Sequence, residues 1–303
     1  MDREDQDRGL RAAVLAYTLW GLLTIYWKQL RGLDAVELIG WRVATAGVVL
    51  AAIVTVTGRW PAVTRALRDP AIAARLVVAS VLLTLNWTTY VWAVVNDRVI
   101  ETALGYFLAP LGTMALGVIV LGERMNRLKL ISAVAAIIAV IVLTASYGRM
   151  PWVALVLAGS WSWYGLTKRR VPLDAISSLS SELFVLAVPA VILIAIGWFR
   201  ADGIPNQASG SDWAFLLGTG VITAIPLLLF AFAAQRVPFT LLGPANYLVP
   251  LINFLLGWLA FGESLPASRI VGFGLVWIAL GLVTVDLVRS RTPAATMQPT
   301  PVR

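Results

Sequence analysis

Cysteine and histidine are both absent from the 303 residues. Without thiols there is no disulfide framework, thiolate nucleophile or Cys metal site. Without imidazole the usual near-neutral proton carrier and commonest metal ligand is missing, so proton chemistry falls to carboxylates, tyrosines or lysines. Neither a metal nor any other cofactor is expected. Charge is scarce too, at 13% of residues against 59% hydrophobic. That much apolar surface does not fit inside one water-soluble core, so lipid must be the solvent and the bilayer a partner. The chain also lacks GxxxxGKS/T and a soluble region to carry it, which leaves no nucleotide engine. No GxSxG elbow is present either, and with His and Cys missing the common triads and zinc sites fall away, so an enzyme is not expected. The net charge of +8 reads as the Lys and Arg excess of cytoplasmic loops rather than a nucleic-acid surface.

What is there is a series of apolar runs near 20 residues, enough to cross a hydrocarbon layer of roughly 30 Å as helix. Spans are predicted near Leu10 to Trp27, Ala35 to Thr57, Ala71 to Val95, Ile100 to Leu121 and Leu128 to Tyr147. The second half reads Trp152 to Leu166, Ser178 to Trp198, Trp213 to Ala234, Phe239 to Phe261 and Arg269 to Val288. Met1 to Gly9 is mixed in charge and the run from Leu10 continues into TIYWK, so the first span reads as retained rather than cleaved. Residues 289–303, rich in Thr and Pro, have too little apolar surface to pack and read as a disordered cytoplasmic tail. If loops alternate sides, one side collects Arg59, Arg65, Arg68, Arg124, Arg127, Lys129, Lys168, Arg169, Arg170 and Arg236 with the basic residues of both termini. The other keeps Lys28, Arg31, Arg98, Arg149, Arg200 and Arg269. The richer side is cytoplasmic by the positive-inside rule, which places both termini inside.

The two halves match. LAPLGTMALGVIVLGE from Leu108 and LVPLINFLLGWLAFGE from Leu248 align without a gap, pairing Pro110 with Pro250, Gly117 with Gly257 and Glu123 with Glu263. Lys28 meets Lys168 at the same offset, while Glu37 meets Glu182 at a slightly longer one. Five spans per copy is an odd number, so the second copy must enter the membrane from the opposite side. The expected fold is all-α, ten transmembrane helices as two inverted five-helix repeats, residues 1–147 and 148–288. Alternating-access transporters use this arrangement around a central site.

Ionisable groups inside spans are costly and mark cavities or partners. Glu37 and Arg42 lie in the second span and Glu182 in the seventh; Asn86, Asn246 and Asn253 are the uncharged candidates. Five helical residues turn Glu37 and Arg42 about 140° apart, so each needs a partner elsewhere. Arg42 fits either an anionic group on a substrate or an internal counter-ion such as a glutamate. Glu37 and Glu182 fit proton carriers, or carboxylates favoured by a helix start. NWTTYVWAV puts Asn86 and Tyr90 on one face beside Trp87, which suits a pocket for an amphipathic substrate or plain helix packing and an interfacial aromatic belt. Pro110 and Pro250 read as paired hinges. Glu123 and Glu263 read as turn carboxylates at helix ends, following Gly122 and Gly262.

YTLWGLLTIYWKQL with VELIGWR, NWTTYVWAV, ETALGYFLAPL, LGERM and VITAIPLLLFAFAAQRVPFTLLGPANYLVPL with FGESL together resemble the RarD-like branch of the EamA family, in the drug/metabolite transporter superfamily. The likeness runs from Tyr17 to Val288. It implies a ten-helix transporter of the bacterial inner membrane with a cavity between the halves, and the fifth and tenth helices at the periphery or in a homodimer contact. It favours Glu37, Arg42, Asn86, Trp87, Tyr90, Gly105, Tyr106, Pro226 and Tyr247 as family positions. One departure is Trp41, where RarD-like sequences often carry His before the arginine. The resulting expectation is a secondary transporter of a small metabolite or drug-like molecule. Its cavity is lined by Arg42, Asn86, Trp87, Tyr90, Tyr106, Asn246 and Tyr247, with Glu37 or Glu182 carrying any coupled proton. A passive facilitator of the same fold is the rival reading.

Overall fold

The computed structural model describes residues 3–122, 126–234, 236 and 246–289. Glu123 and the tail beyond Arg289 lie outside the described residues. Among those described, the chain is helical with no strand. The helices are α1 (Arg3–Lys28), α2 (Ala35–Val56), α3 (Trp60–Arg68), α4 (Pro70–Val95), α5 (Val99–Leu121), α6 (Arg127–Tyr147), α7 (Trp152–Lys168), α8 (Ala175–Phe199), α9 (Ile204–Gln207), α10 (Gly210–Ala234), α11 (Leu248–Leu255) and α12 (Ala267–Arg289). A π-helical turn, Leu256–Ala260, follows α11. Seven described helices have the length and composition to cross a membrane, and Leu248–Ala260 and Ala267–Leu282 are shorter apolar helices.

The helix starts are written in local chemistry. Asp34 caps α2 by accepting from Val36 N at 3.1 Å and Glu37 N at 2.9 Å. Asp174 does the same for α8 with Ile176 N at 3.1 Å and Ser177 N at 3.2 Å. Asp69 caps α4, whose first residue is Pro70, a position where the missing N–H costs nothing. In each case a carboxylate satisfies amides that have no intrahelical acceptor.

Two helices depart from the expected spans. The loop carrying Arg65 and Arg68 contains α3, an amphipathic helix that buries Val63 and Ala66 and stacks Trp60 on Phe184 of α8 at 5.4 Å. A nine-residue helix with basic residues on its exposed face is too short and polar to register as an apolar run. The second departure is Pro250: α11 begins at Leu248, so this proline sits in a first turn, where its absent N–H has no partner to lose. Pro110, by contrast, stands inside α5.

The chain forms two compact units, and neither is a half of the sequence. The first comprises Met1–Ala109 and Trp152–Leu265; the second comprises Pro110–Pro151 and Pro266–Arg303. Within the first, α1 packs on α10 and α11, α2 on α8 and α10, and α4 on α7 and α8. Glycines set the closest approaches. A Cβ on Gly105 of α5 would lie 2.8 Å from Leu157 Cβ and 3.0 Å from the Ala154 carbonyl oxygen on α7. One on Gly220 of α10 would lie 2.5 Å from the Thr45 carbonyl oxygen on α2. In the second unit α6 packs on α12, joined by the Ser146–Ser268 hydroxyl pair at 2.7 Å and by Arg269 over the Tyr147 ring at 4.0 Å.

Candidate functional site

The first unit buries many polar side chains, and their partners sort structural groups from free ones. Asn86 is 1% exposed and fully engaged. Its Nδ2 donates to Leu157 O at 3.2 Å and Ser160 Oγ at 3.0 Å, while its Oδ1 accepts from Tyr106 Oη at 3.2 Å. This amide ties α4 to α5 and α7. Tyr90, one turn along, shares a 2.7 Å hydrogen bond with Thr24 Oγ1 of α1, and that hydroxyl also reaches Asn253 Oδ1 of α11 at 2.8 Å. Three elements, α1, α4 and α11, therefore meet through one small polar network.

The membrane-embedded carboxylates are each occupied. Glu37, 3% exposed, accepts from Ile204 N at 2.8 Å and lies 3.5 Å from Arg200. It closes the start of α9 and packs against Gly197, where a Cβ would come within 2.6 Å of its Oε2. Glu182, fully buried, pairs with Lys168 Nζ and accepts from Tyr164 Oη at 2.9 Å and Ser178 Oγ at 3.2 Å. Glu101 accepts from Val153 N at 3.2 Å, across from the start of α7. Glu263 lies beyond the π turn and accepts from Val99 N and Ile100 N at the start of α5. It is a helix-end carboxylate as expected, but the helix belongs to the other half of the sequence. Burial raises its carboxyl above the usual range.

Arg42 is the exception. It is 4% exposed, its Nε has no hydrogen-bond partner, and no carboxylate among the described residues forms an ion pair with it. Its guanidinium carbon sits 3.8 Å from the Trp87 ring centroid and 5.3 Å from that of Trp27. Tyr90 and Tyr106 stand within electrostatic reach of it, their rings 5.9 Å apart. Tyr106 in turn meets Trp161 edge-on at 6.4 Å. Thus Arg42, Asn86, Trp87, Tyr90 and Tyr106 converge on one region of the first unit. Asn246 and Tyr247 lie in the turn before α11, half-buried, and no described ring contact or hydrogen bond joins them to Arg42. Sequence reasoning missed Trp27 and Thr24, since an apolar ring and a lone threonine inside an apolar helix carry no local signal of a site.

Comparison with known proteins places this geometry in context. The profile of the EamA-like transporter family matches twice, at residues 7–145 and 149–285. Protein RarD of Streptomyces exfoliatus is 39% identical over 96% of this chain and 92% of its own length. The uncharacterized transporter YojE of Bacillus subtilis is 33% identical over 95% of this chain and 97% of its own. Protein RarD of Escherichia coli is 31% identical over the same shares. A solved crystal structure with 18% identity aligns with a TM-score of 0.60 across 95% of this chain and all of that one, a likeness of fold.

Proposed function

We propose, from the premise that this chain belongs to the EamA-like transporter family and is a multi-pass membrane protein, that it is a secondary transporter of a small metabolite or drug-like molecule working by alternating access. Its ten spans form two inverted repeats, residues 1–147 and 148–288, in the bacterial inner membrane with both termini cytoplasmic.

The observation that carries this reading is the pattern of helix contacts. Numbering α1, α2, α4, α5 and α6 as one copy and α7, α8, α10, α11 and α12 as the other, exchanging the copies maps the larger helix contacts onto one another, while the smaller α1–α4 contact has no counterpart. The α1–α10 contact becomes α7–α4, α2–α10 becomes α8–α4, and both are present. The α1–α11 contact becomes α7–α5, the approach made at Gly105. The α2–α8 and α6–α12 contacts map to themselves. Such exchange is what two copies related by an axis in the membrane plane produce, and it lets inward-open and outward-open shapes be near-equivalent in energy. The paired caps Asp34 and Asp174 and the doubled family match support the same division.

Glu182 is the better proton carrier of the two glutamates. Its partner Lys168 is an amine at the end of α7 that can exchange a proton, whereas Glu37 faces Arg200, which stays charged, and also accepts from the backbone amide of Ile204. Pro110 inside α5 serves as the hinge.

The test is uptake of a pooled metabolite extract by proteoliposomes under an imposed pH gradient, read by mass spectrometry. Accumulation above equilibrium that is lost on adding a protonophore and in Glu182→Gln supports coupling. Flux that only equilibrates makes the protein a facilitator, and flux indifferent to Glu37→Gln and Glu182→Gln removes the coupling. Because the chain has no cysteine, single cysteines at Gly58 and Gly148 report sidedness without background; labelling of both from one side would remove the inverted topology.

A further inference from the structure

Among the described residues Arg42 is a buried cation whose neighbouring carboxylates are committed elsewhere, and a second group beside it is also unsatisfied. The indole Nε1 of Trp27, a fully buried side chain whose ring faces the guanidinium, has no acceptor. Two donors on two helices, α1 and α2, are thus left without acceptors in one place. Buried donors and charges normally find partners, because an unpaired one carries its full desolvation cost. Attraction to the Trp rings recovers only part of that cost.

We infer that Arg42 and Trp27 Nε1 receive an anionic ligand, and that the substrate is an organic acid with one carboxylate and an apolar body. The inference rests on the transport reading only for the word substrate; the anion site stands on the geometry. The rings of Trp87 and Trp27 lie against the guanidinium, which leaves its N–H edge for an acceptor, and a carboxylate matches that fork with two parallel bonds. One unpaired cation matches one negative charge, which favours a carboxylate over a phosphate dianion that would bring a second charge into an apolar site. The rings of Tyr90, Tyr106 and Trp161 continue from this point and suit an apolar or aromatic body.

The experiment is thermal unfolding of the purified full chain in detergent at constant ionic strength and pH 7.4. The probes are benzoate and phenylacetate, their neutral amides, and inorganic phosphate. The acids should raise the wild-type midpoint by about 2 °C or more at saturation, and the amides and phosphate should not. Arg42→Gln should lose the shift, and Arg42→Lys, which keeps the charge without the fork, should need several-fold more ligand. Without ligand, Arg42→Gln should unfold at or above the wild-type midpoint, since it removes a cation that lacks a partner. The inference is overturned if amides match acids, if Arg42→Gln keeps the shift, if no acid shifts the wild type, or if ligand-free Arg42→Gln unfolds several degrees lower. Flux of the same acids into proteoliposomes separates the two readings. Acids that stabilise but are not carried would remove transport and leave the anion site, while flux of a neutral metabolite alone would remove the anion site and leave transport.

Discussion

The carboxylate of Glu263 holds the first turn of α5 by its backbone, with Oε2 accepting from Ile100 N at 2.9 Å and Oε1 from Val99 N at 2.5 Å. It follows the left-handed Gly262, which turns the chain back after the π segment. Glu263→Ala would leave two amides without acceptors in a half-buried place. A loss of about 1–2 kcal/mol is expected, the range of a deleted helix cap. Glu263→Gln, which keeps one acceptor, should lose less. Equal midpoints for Ala, Gln and wild type in a denaturant series would show that the cap contributes nothing.

Glu182 and Lys168 form a pair in which the carboxylate is fully buried and the ammonium is 24% exposed. Removing the lysine with Lys168→Met strands a buried charge, so it should cost more than Glu182→Gln, whose leftover ammonium can turn towards water. Breaking a fully buried pair costs about 3–5 kcal/mol, and partial exposure brings Glu182→Gln nearer to 2. The double variant Lys168→Met with Glu182→Gln should recover much of the loss. A double-mutant cycle with additive effects would mean that the two groups do not interact.

Glycine positions offer a paired test of helix packing. Gly220→Ala would place a methyl group 2.5 Å from the Thr45 carbonyl oxygen, a contact that backbone cannot relieve cheaply. It should destabilise by about 2 kcal/mol, within the range of overpacking. Gly47→Ala, in α2 with nothing within 4 Å, should be neutral or stabilising by up to about 1 kcal/mol through helix propensity. Unfolding midpoints that move together would contradict the close α2–α10 contact.

Asp97 supplies a pH dependence. A hydrogen bond from Lys28 at 2.5 Å, with Arg31 also paired to it, holds its carboxyl below the usual carboxylate range. A depressed carboxylate contributes stability that is fully present above its unfolded pKa, about 3.9, and is lost as pH falls through the lower folded value. The difference between wild type and Asp97→Asn should therefore be constant from pH 7 down to about 5 and shrink below 4. Asn is the right replacement because residue 97 has a φ of 58°, a region that Asn tolerates. A gap that stays constant to the lowest pH would show that the ion pair contributes nothing.

Much of the helical order is legible in the residues. The apolar runs predict α1, α2, α4, α5, α6, α7, α8, α10 and α12 to within a few residues at most ends. The ninth expected span, Phe239 to Phe261, is met in its described part by α11 and the π turn, and residues 239–245 lie outside the description. The amphipathic α3 escaped, because a helix that lies along a surface has no long apolar run.

Hydropathy and internal similarity alone determined that this chain lives in lipid, where its long apolar helices run and that its halves match, because those properties follow from composition and from contacts within a turn or two of helix. Only the tertiary structure decided what the polar groups do. Lys28 and Lys168 occupy matching positions, yet one pairs with Asp97 and the other with Glu182. Glu37 and Glu182 also match, yet one holds a backbone amide of α9 with Arg200 beside it and the other pairs with Lys168. The partners of Arg42 could not be read from its neighbours in sequence, since the groups that reach a buried side chain come from helices tens to hundreds of residues away. Helix packing brought Trp27 and Trp87 to its faces and took the described buried glutamates elsewhere, and that long-range arrangement is what leaves the cation without an ion-pair partner among the described residues.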